Sequence, residues 1–215
     1  MKIGGFLKKS LIEYPGCISA VVFTIGCNFR CPFCHNPELV LQAEASFTEA
    51  EIFAYLDLNR KWLDALVISG GEPTLQPDLA DFCLEIRKMG FPVKIETNGT
   101  RPEILSSLIS EKLIQRIQMD IKTRLDQPEY SRITDAAIEL DQIRKSIEII
   151  KKSGLPFEFV TTTVPGIHNA RDIAEIRREL SHDIPHRLQE FRPGKVLNEK
   201  LLLELGYVKE VIGKR

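Results

Sequence analysis

The sequence predicts an α/β fold, a partial (β/α)6 barrel with a mostly parallel sheet. Three observations lead there: short apolar runs alternate with helical periods, the units recur at βα spacing, and about six of them fit in 215 residues. Eight would close a full barrel. Crossovers between parallel strands should be right-handed, and loops at the carboxyl ends of the strands should carry the chemistry. No low-complexity stretch or linker interrupts the pattern, so residues 1–215 read as a single domain.

The strand candidates are Ser19–Ile25, Ala65–Ser69, Pro92–Glu96, Gln115–Ile121, Phe157–Thr163 and Arg187–Phe191. Most are rich in Val, Ile, Phe or Thr and are bounded by turn residues; the last carries the weakest signal. Helices are expected between them. Thr48–Glu51 reads as a capping box with Phe47 and Ile52 as its hydrophobic staple. Leu79, Phe82, Cys83 and Ile86 form a stripe that Gly90 can end. Thr100–Glu103 reads as a second box, with Pro102 in the first turn. Leu140, Ile143, Ile147 and Ile150 form another stripe, closed by Gly154. Asn169 can cap a helix carrying Ile173, Ile176 and Leu180.

The bulk numbers are those of a soluble globular chain: 43% apolar, 27% charged and a net charge of −1. No basic excess points to nucleic acid. No apolar run approaches membrane length, and the N-terminus lacks the apolar core of a signal peptide, so a cytoplasmic location is expected. Five cysteines, three of them within eight residues, suit metal binding better than a disulfide framework.

Those three lie in Gly26–Asn36, GCNFRCPFCHN, directly after the first candidate strand. Cys27, Cys31 and Cys34 follow a C-x3-C-x2-C spacing. Three thiolates can hold three irons of a cubane and leave the fourth open for a ligand. A structural zinc site using His35 is the alternative, although adjacent Cys34 and His35 reach one ion awkwardly. Three core cysteines fit less well with the polar Asn28, Arg30 and Asn36. Cys83 belongs to an apolar stripe and reads as core; Cys17 sits in a Pro-Gly turn and receives no role.

The loop resembles the signature of the radical S-adenosylmethionine (SAM) superfamily. GCNFRCPFCHNP is similar to the loop of the activating enzymes of glycyl radical enzymes. SLIEYPG at Ser10–Gly16 and VVFTIGCNFRC resemble the start of the activating proteins of anaerobic ribonucleoside-triphosphate reductase. The resemblance implies a radical SAM type fold, a [4Fe–4S] cluster on Cys27, Cys31 and Cys34, and S-adenosylmethionine as the second cofactor. It also implies a glycyl radical enzyme as partner and a flavodoxin or ferredoxin as electron donor.

Three further motifs match the family's. Gly70-Gly71-Glu72-Pro73 follows the second candidate strand, and its glycines would let the backbone approach the substrate's amino group. Thr97-Asn98-Gly99 follows the third; a plain turn is the other reading. Glu96 stands where formate-lyase activators carry Asp. Asp120-Ile121-Lys122 ends the fourth, and residues two apart share a face. The resemblance implies ribose, carboxylate or target-backbone contacts for that pair; a solvated ion pair is the alternative. Phe33 can offer its ring to adenine. His168 and Arg192 lie at later strand ends: His168 is open to a structural role or to a substrate or proton role, and Arg192 to lining the site or meeting solvent. A short small-molecule enzyme resembling 7-carboxy-7-deazaguanine synthase, and a non-catalytic iron–sulfur or zinc module, remain the competing functions.

Overall fold

The computed structural model describes residues 1–41 and 44–206. Among these described residues seven strands form one sheet in the order β1-β2-β3-β4-β5-β6-β7. These are β1 (Ile3–Ser10), β2 (Ser19–Thr24), β3 (Ala65–Gly70), β4 (Val93–Thr97), β5 (Arg116–Asp120), β6 (Phe157–Thr163) and β7 (His186–Glu190). Strands β2 to β7 pair in parallel, each with the next. They match the six predicted strands to within about two residues at each end.

The addition is β1, which pairs antiparallel with β2 and carries an irregular register. Its sequence, IGGFLKKS, has two glycines and no alternation, so it gives no strand signal. Gly4 is required there: a Cβ would lie 2.7 Å from both Ile25 and Leu39 side chains. The sheet is open, with β1 and β7 as its edges.

Helices α2 (Glu49–Leu58), α3 (Leu79–Lys88), α4 (Pro102–Ser110), α6 (Leu140–Lys152) and α7 (Ala170–Leu180) occupy the predicted crossovers. Short helices α1 (Pro37–Leu41), α5 (Gln127–Thr134) and α8 (Glu199–Glu204) are additional. Both halves of the Thr48–Glu51 box form, and Asn169 caps α7 with Asp172 completing a second box. The Thr100–Glu103 box does not form. Arg101 is the N-cap of α4, and the Thr100 hydroxyl donates to Asn98 Oδ1 at 2.7 Å instead.

The core lies between the helices and one face of the sheet. Ala20, Val22, Leu66, Ile68, Val93, Ile95, Ile117, Met119 and Phe159 pack there against Phe82, Ile86, Leu105, Ile143 and Ile176. Cys83 is fully buried in this core, as its stripe predicts. Among the described residues no helix is long and apolar enough to cross a membrane.

Candidate active site

The opposite face of the sheet lines a cavity of about 980 Å³. Residues of β2 and of β4 to β7 line it, among them Val21 and Phe23, Lys94 and Glu96, Gln118 and Asp120, Glu158, Arg187 and Gln189. Cys27, Cys31, Cys34, Phe33, Gly70, Gly71, Thr97, Asn98, Asp120 and Lys122 also line it. Ten of the eleven residues singled out from the sequence therefore meet at one place, at the carboxyl ends of β2 to β5.

Glu72 is the exception. It is completely buried and does not line the cavity. Its carboxylate accepts from Asn98 N–H at 2.6 Å, Thr97 Oγ1 at 2.7 Å and the Thr74 N–H at 3.1 Å. Burial pushes this carboxyl upward, against the pull of those donors. Glu72 thus bolts the turn after β3 to the turn after β4.

The two glycines before it do a related job. A Cβ on Gly71 would fall 2.0 Å from the Gly26 carbonyl oxygen, and one on Gly70 2.3 Å from the Thr24 amide. The turn after β3 lies directly on the backbone entering the cysteine loop. Gly71 N–H donates to Thr24 O at 2.9 Å and Glu72 N–H to Gly26 O at 2.8 Å. The Asn98 side chain reaches the same loop, donating to Asn28 Oδ1 at 2.8 Å. From the far end of the chain, Leu197 N–H donates to Cys34 O and Asn198 N–H to Pro32 O, both at 3.0 Å.

The Asp120–Lys122 pair lies in the cavity lining, with both side chains partly exposed there. Lys122 Nζ lies 2.8 Å from Asp120 Oδ2 inside the cavity wall. Burial pulls the ammonium down, but Asp120 and the Cys31 sulfur outweigh it and the net shift is upward. Lys122 stays a cation.

The donor set fits a thiolate-bound cubane. Burial pushes the Cys27 thiol up to about 11, opposed by the Phe29 N–H that donates to its sulfur at 3.4 Å, and Cys31 up to about 12. Such thiols ionise only beside strong positive charge, which cluster iron provides. Backbone bonds to sulfur are among the features that tune such clusters. Among the described residues no three His, Cys, Asp or Glu side chains gather as one metal ion would need. His35 is engaged elsewhere: its ring stacks on Phe191 with centroids 5.2 Å apart, and Nε2 lies 2.9 Å from Arg192 O. The zinc alternative loses its fourth ligand.

A profile described as the Radical SAM superfamily matches residues 21–180. The chain belongs to that superfamily. Radical SAM enzymes use a [4Fe–4S] cluster and S-adenosylmethionine, the two cofactors this donor set and cavity suit. A Methanocaldococcus jannaschii protein, provisionally named a glycyl-radical enzyme activating enzyme, is 38% identical over 92% of this chain and 83% of its own length. A second from that organism with the same provisional name is 28% identical, over 78% and 65%. A Pyrococcus abyssi protein, provisionally a GTP 3',8-cyclase, is 29% identical, over 69% and 48%. The fold is also that of Streptococcus suis SuiB bound to S-adenosylmethionine, with a TM-score of 0.65 at 14% identity over 90% of this chain and 48% of that one.

Sequence reasoning missed Lys94, a fully buried radical SAM wall residue whose ammonium donates to Glu96, Gln118 and the Glu13 carbonyl at 2.6 to 2.8 Å. The alternation of Lys94 with Glu96 in β4 was its available signal. His168 lies outside the cavity lining, with both ring nitrogens engaged. Arg192 lines the cavity.

Proposed function

We propose that this radical SAM enzyme is an activating enzyme that installs a glycyl radical on a partner protein, with anaerobic ribonucleotide reductase as the first candidate. A bound, reduced cluster would supply the one electron that cleaves the S–C5′ bond of S-adenosylmethionine to methionine and a 5′-deoxyadenosyl radical, which would take a hydrogen atom from the glycine Cα and leave as 5′-deoxyadenosine. Cys27, Cys31 and Cys34 hold the cluster in this reading, and Lys122 pairs with the substrate carboxylate. Asp120 accepts from ribose hydroxyls, the Gly70-Gly71 backbone meets the amino group, and Thr97 and Asn98 shape the turn beside it. Phe33 faces adenine. The apolar Val21 and Phe23 and the buried Phe29, Cys31 and Phe33 of the cysteine loop exclude water from the reacting carbon. A flavodoxin or ferredoxin is the proposed donor.

The observation that carries the partner assignment is the charge balance of the wall. Among the described lining residues, the cations Lys94, Lys122, Arg187 and Arg192 stand with the carboxylates Glu13, Glu96, Asp120, Glu158 and Glu190, and Lys94, Lys122 and Arg187 pair with Glu96, Asp120 and Glu158. Such a wall has little spare cationic charge for a nucleoside triphosphate but suits a neutral polypeptide backbone. The provisional names of the two M. jannaschii relatives support the same reading.

The test is anaerobic reconstitution with iron, sulfide and dithionite, then incubation with S-adenosylmethionine and candidate glycyl radical enzymes. 5′-Deoxyadenosine and a glycyl radical signal in electron paramagnetic resonance are expected. Deoxyadenosine formation with conversion of added GTP, and no protein radical, would favour a nucleotide substrate.

A further inference from the structure

Lys122 lies past the end of β5, which stops at Asp120; the sheet's own bonding reaches only Ile121, whose N–H donates to Val160 O at 2.8 Å. Its backbone is held by two side chains instead. The Lys122 N–H donates to Tyr130 Oη at 3.1 Å, and the Lys122 carbonyl accepts from His168 Nε2 at 2.8 Å. The His168 tautomer follows from its second contact: Nδ1 accepts from the Val164 N–H at 3.0 Å, so the proton sits on Nε2.

Each of these two rings also abuts the cysteine loop. Tyr130 meets the ring of Phe29 edge-on, centroids 6.3 Å apart, and His168 meets Phe33 in the same way at 6.0 Å. Phe29 and Phe33 stand two residues to either side of Cys31. The contacts close a belt: Phe29, Tyr130, the Lys122 backbone, His168, Phe33, and back through Cys31. Tyr130 is fully buried and anchored in α5, whose last residue accepts the Arg30 N–H at 2.7 Å. His168 ends the loop before α7, next to the N-cap Asn169.

We infer that Tyr130 and His168 are positioning residues that fix the Lys122 ammonium at a set distance from the cysteine loop, and so set the affinity for S-adenosylmethionine. The inference rests on the reading that Lys122 pairs with that substrate's carboxylate. Neither ring lines the cavity, so each acts through Lys122 rather than on the ligand.

The test is calorimetric binding of S-adenosylmethionine to the reconstituted enzyme, with iron content and melting temperature measured on every variant. Tyr130→Phe keeps the ring and removes the hydroxyl. It should weaken binding about three- to tenfold, the worth of one ordinary hydrogen bond, at wild-type iron content. His168→Ala should weaken binding similarly, and His168→Gln, which keeps a donor for the Lys122 carbonyl, should recover most of the loss. In a Lys122→Met background, Tyr130→Phe should cost nothing further. An equal loss in both backgrounds, or none with Lys122 intact, overturns the positioning role. Lys122→Met with unchanged affinity removes the underlying carboxylate reading instead. Should Tyr130→Phe lose its cluster, the His168→Ala and His168→Gln pair decides by the same comparison.

Discussion

The two faces of the sheet obey different rules. The helix-covered face is continuous hydrocarbon, from Ala20 and Val22 on β2 to Phe159 on β6. The cavity face of the same strands carries Lys94, Glu96, Gln118, Glu158 and Arg187, joined by hydrogen bonds from Ser69 to Glu158. One face is held by packing, where any well-fitting hydrophobe serves. The other is held by polar partners, where each group depends on a specific neighbour. Substitutions on the helix-covered face should therefore move stability and leave chemistry alone, and substitutions on the cavity face should do the reverse.

The sharpest contrast uses cysteines alone. Cys27→Ala, Cys31→Ala and Cys34→Ala should each abolish 5′-deoxyadenosine formation, measured chromatographically after anaerobic reconstitution. Cys83→Ala should retain it and cost about 1–2 kcal/mol in urea unfolding, the loss of a small buried group. A Cys83 variant without product would break the comparison. Next comes Ile95→Ala on the packed face: about 2–5 kcal/mol of stability should go, while product formed per folded enzyme stays within about twofold. Gly71→Ala tests the junction between the two. Its added methyl would collide with the Gly26 backbone, so overpacking of about 1–3 kcal/mol is expected, together with reduced iron uptake measured on the purified protein.

The smallest effect is a pH dependence. Burial holds the His168 imidazole below its ordinary value of 6.5. In the unfolded chain it protonates near 6.5, whereas in the folded protein it stays neutral to lower pH. Its contribution to stability is therefore complete above 6.5 and declines as pH falls through that value toward the folded pKa. The stability difference between wild type and His168→Gln should shift in that direction between pH 7.5 and 5.5 by chemical denaturation. A pH-independent difference would show that the imidazole is not held neutral.

The two faces were also unequally legible in the sequence. The packed face announces itself through runs such as Ala65-Leu66-Val67-Ile68 and through the stripe of α6, so six strands and five helices could be read directly. β1 could not, because its pairing depends on β2 and on the space left by Gly4 rather than on any alternation of its own. The Thr100 box failed for a similar reason: Asn98, held by Asn28 some 70 residues away, captured the hydroxyl. At the cavity, the spacing already singled out the three cysteines that line it. The work of Glu72 was hidden, since its partners Thr97 and Asn98 come together only after a full βα unit has folded. The Tyr130–Lys122–His168 belt was hidden likewise, as it joins helix α5 to two loops through the Lys122 backbone, which no motif records.

The bonds from Leu197 and Asn198 to the cysteine loop carry a consequence for biogenesis. Chains leave the ribosome N-terminus first at about 5–20 residues per second. The segment that clasps Cys34 is made some 160 residues after it. For roughly ten to thirty seconds of translation the cysteine loop exists without the two bonds that later hold its Pro32 and Cys34 carbonyls, so its final backbone shape waits for the end of synthesis.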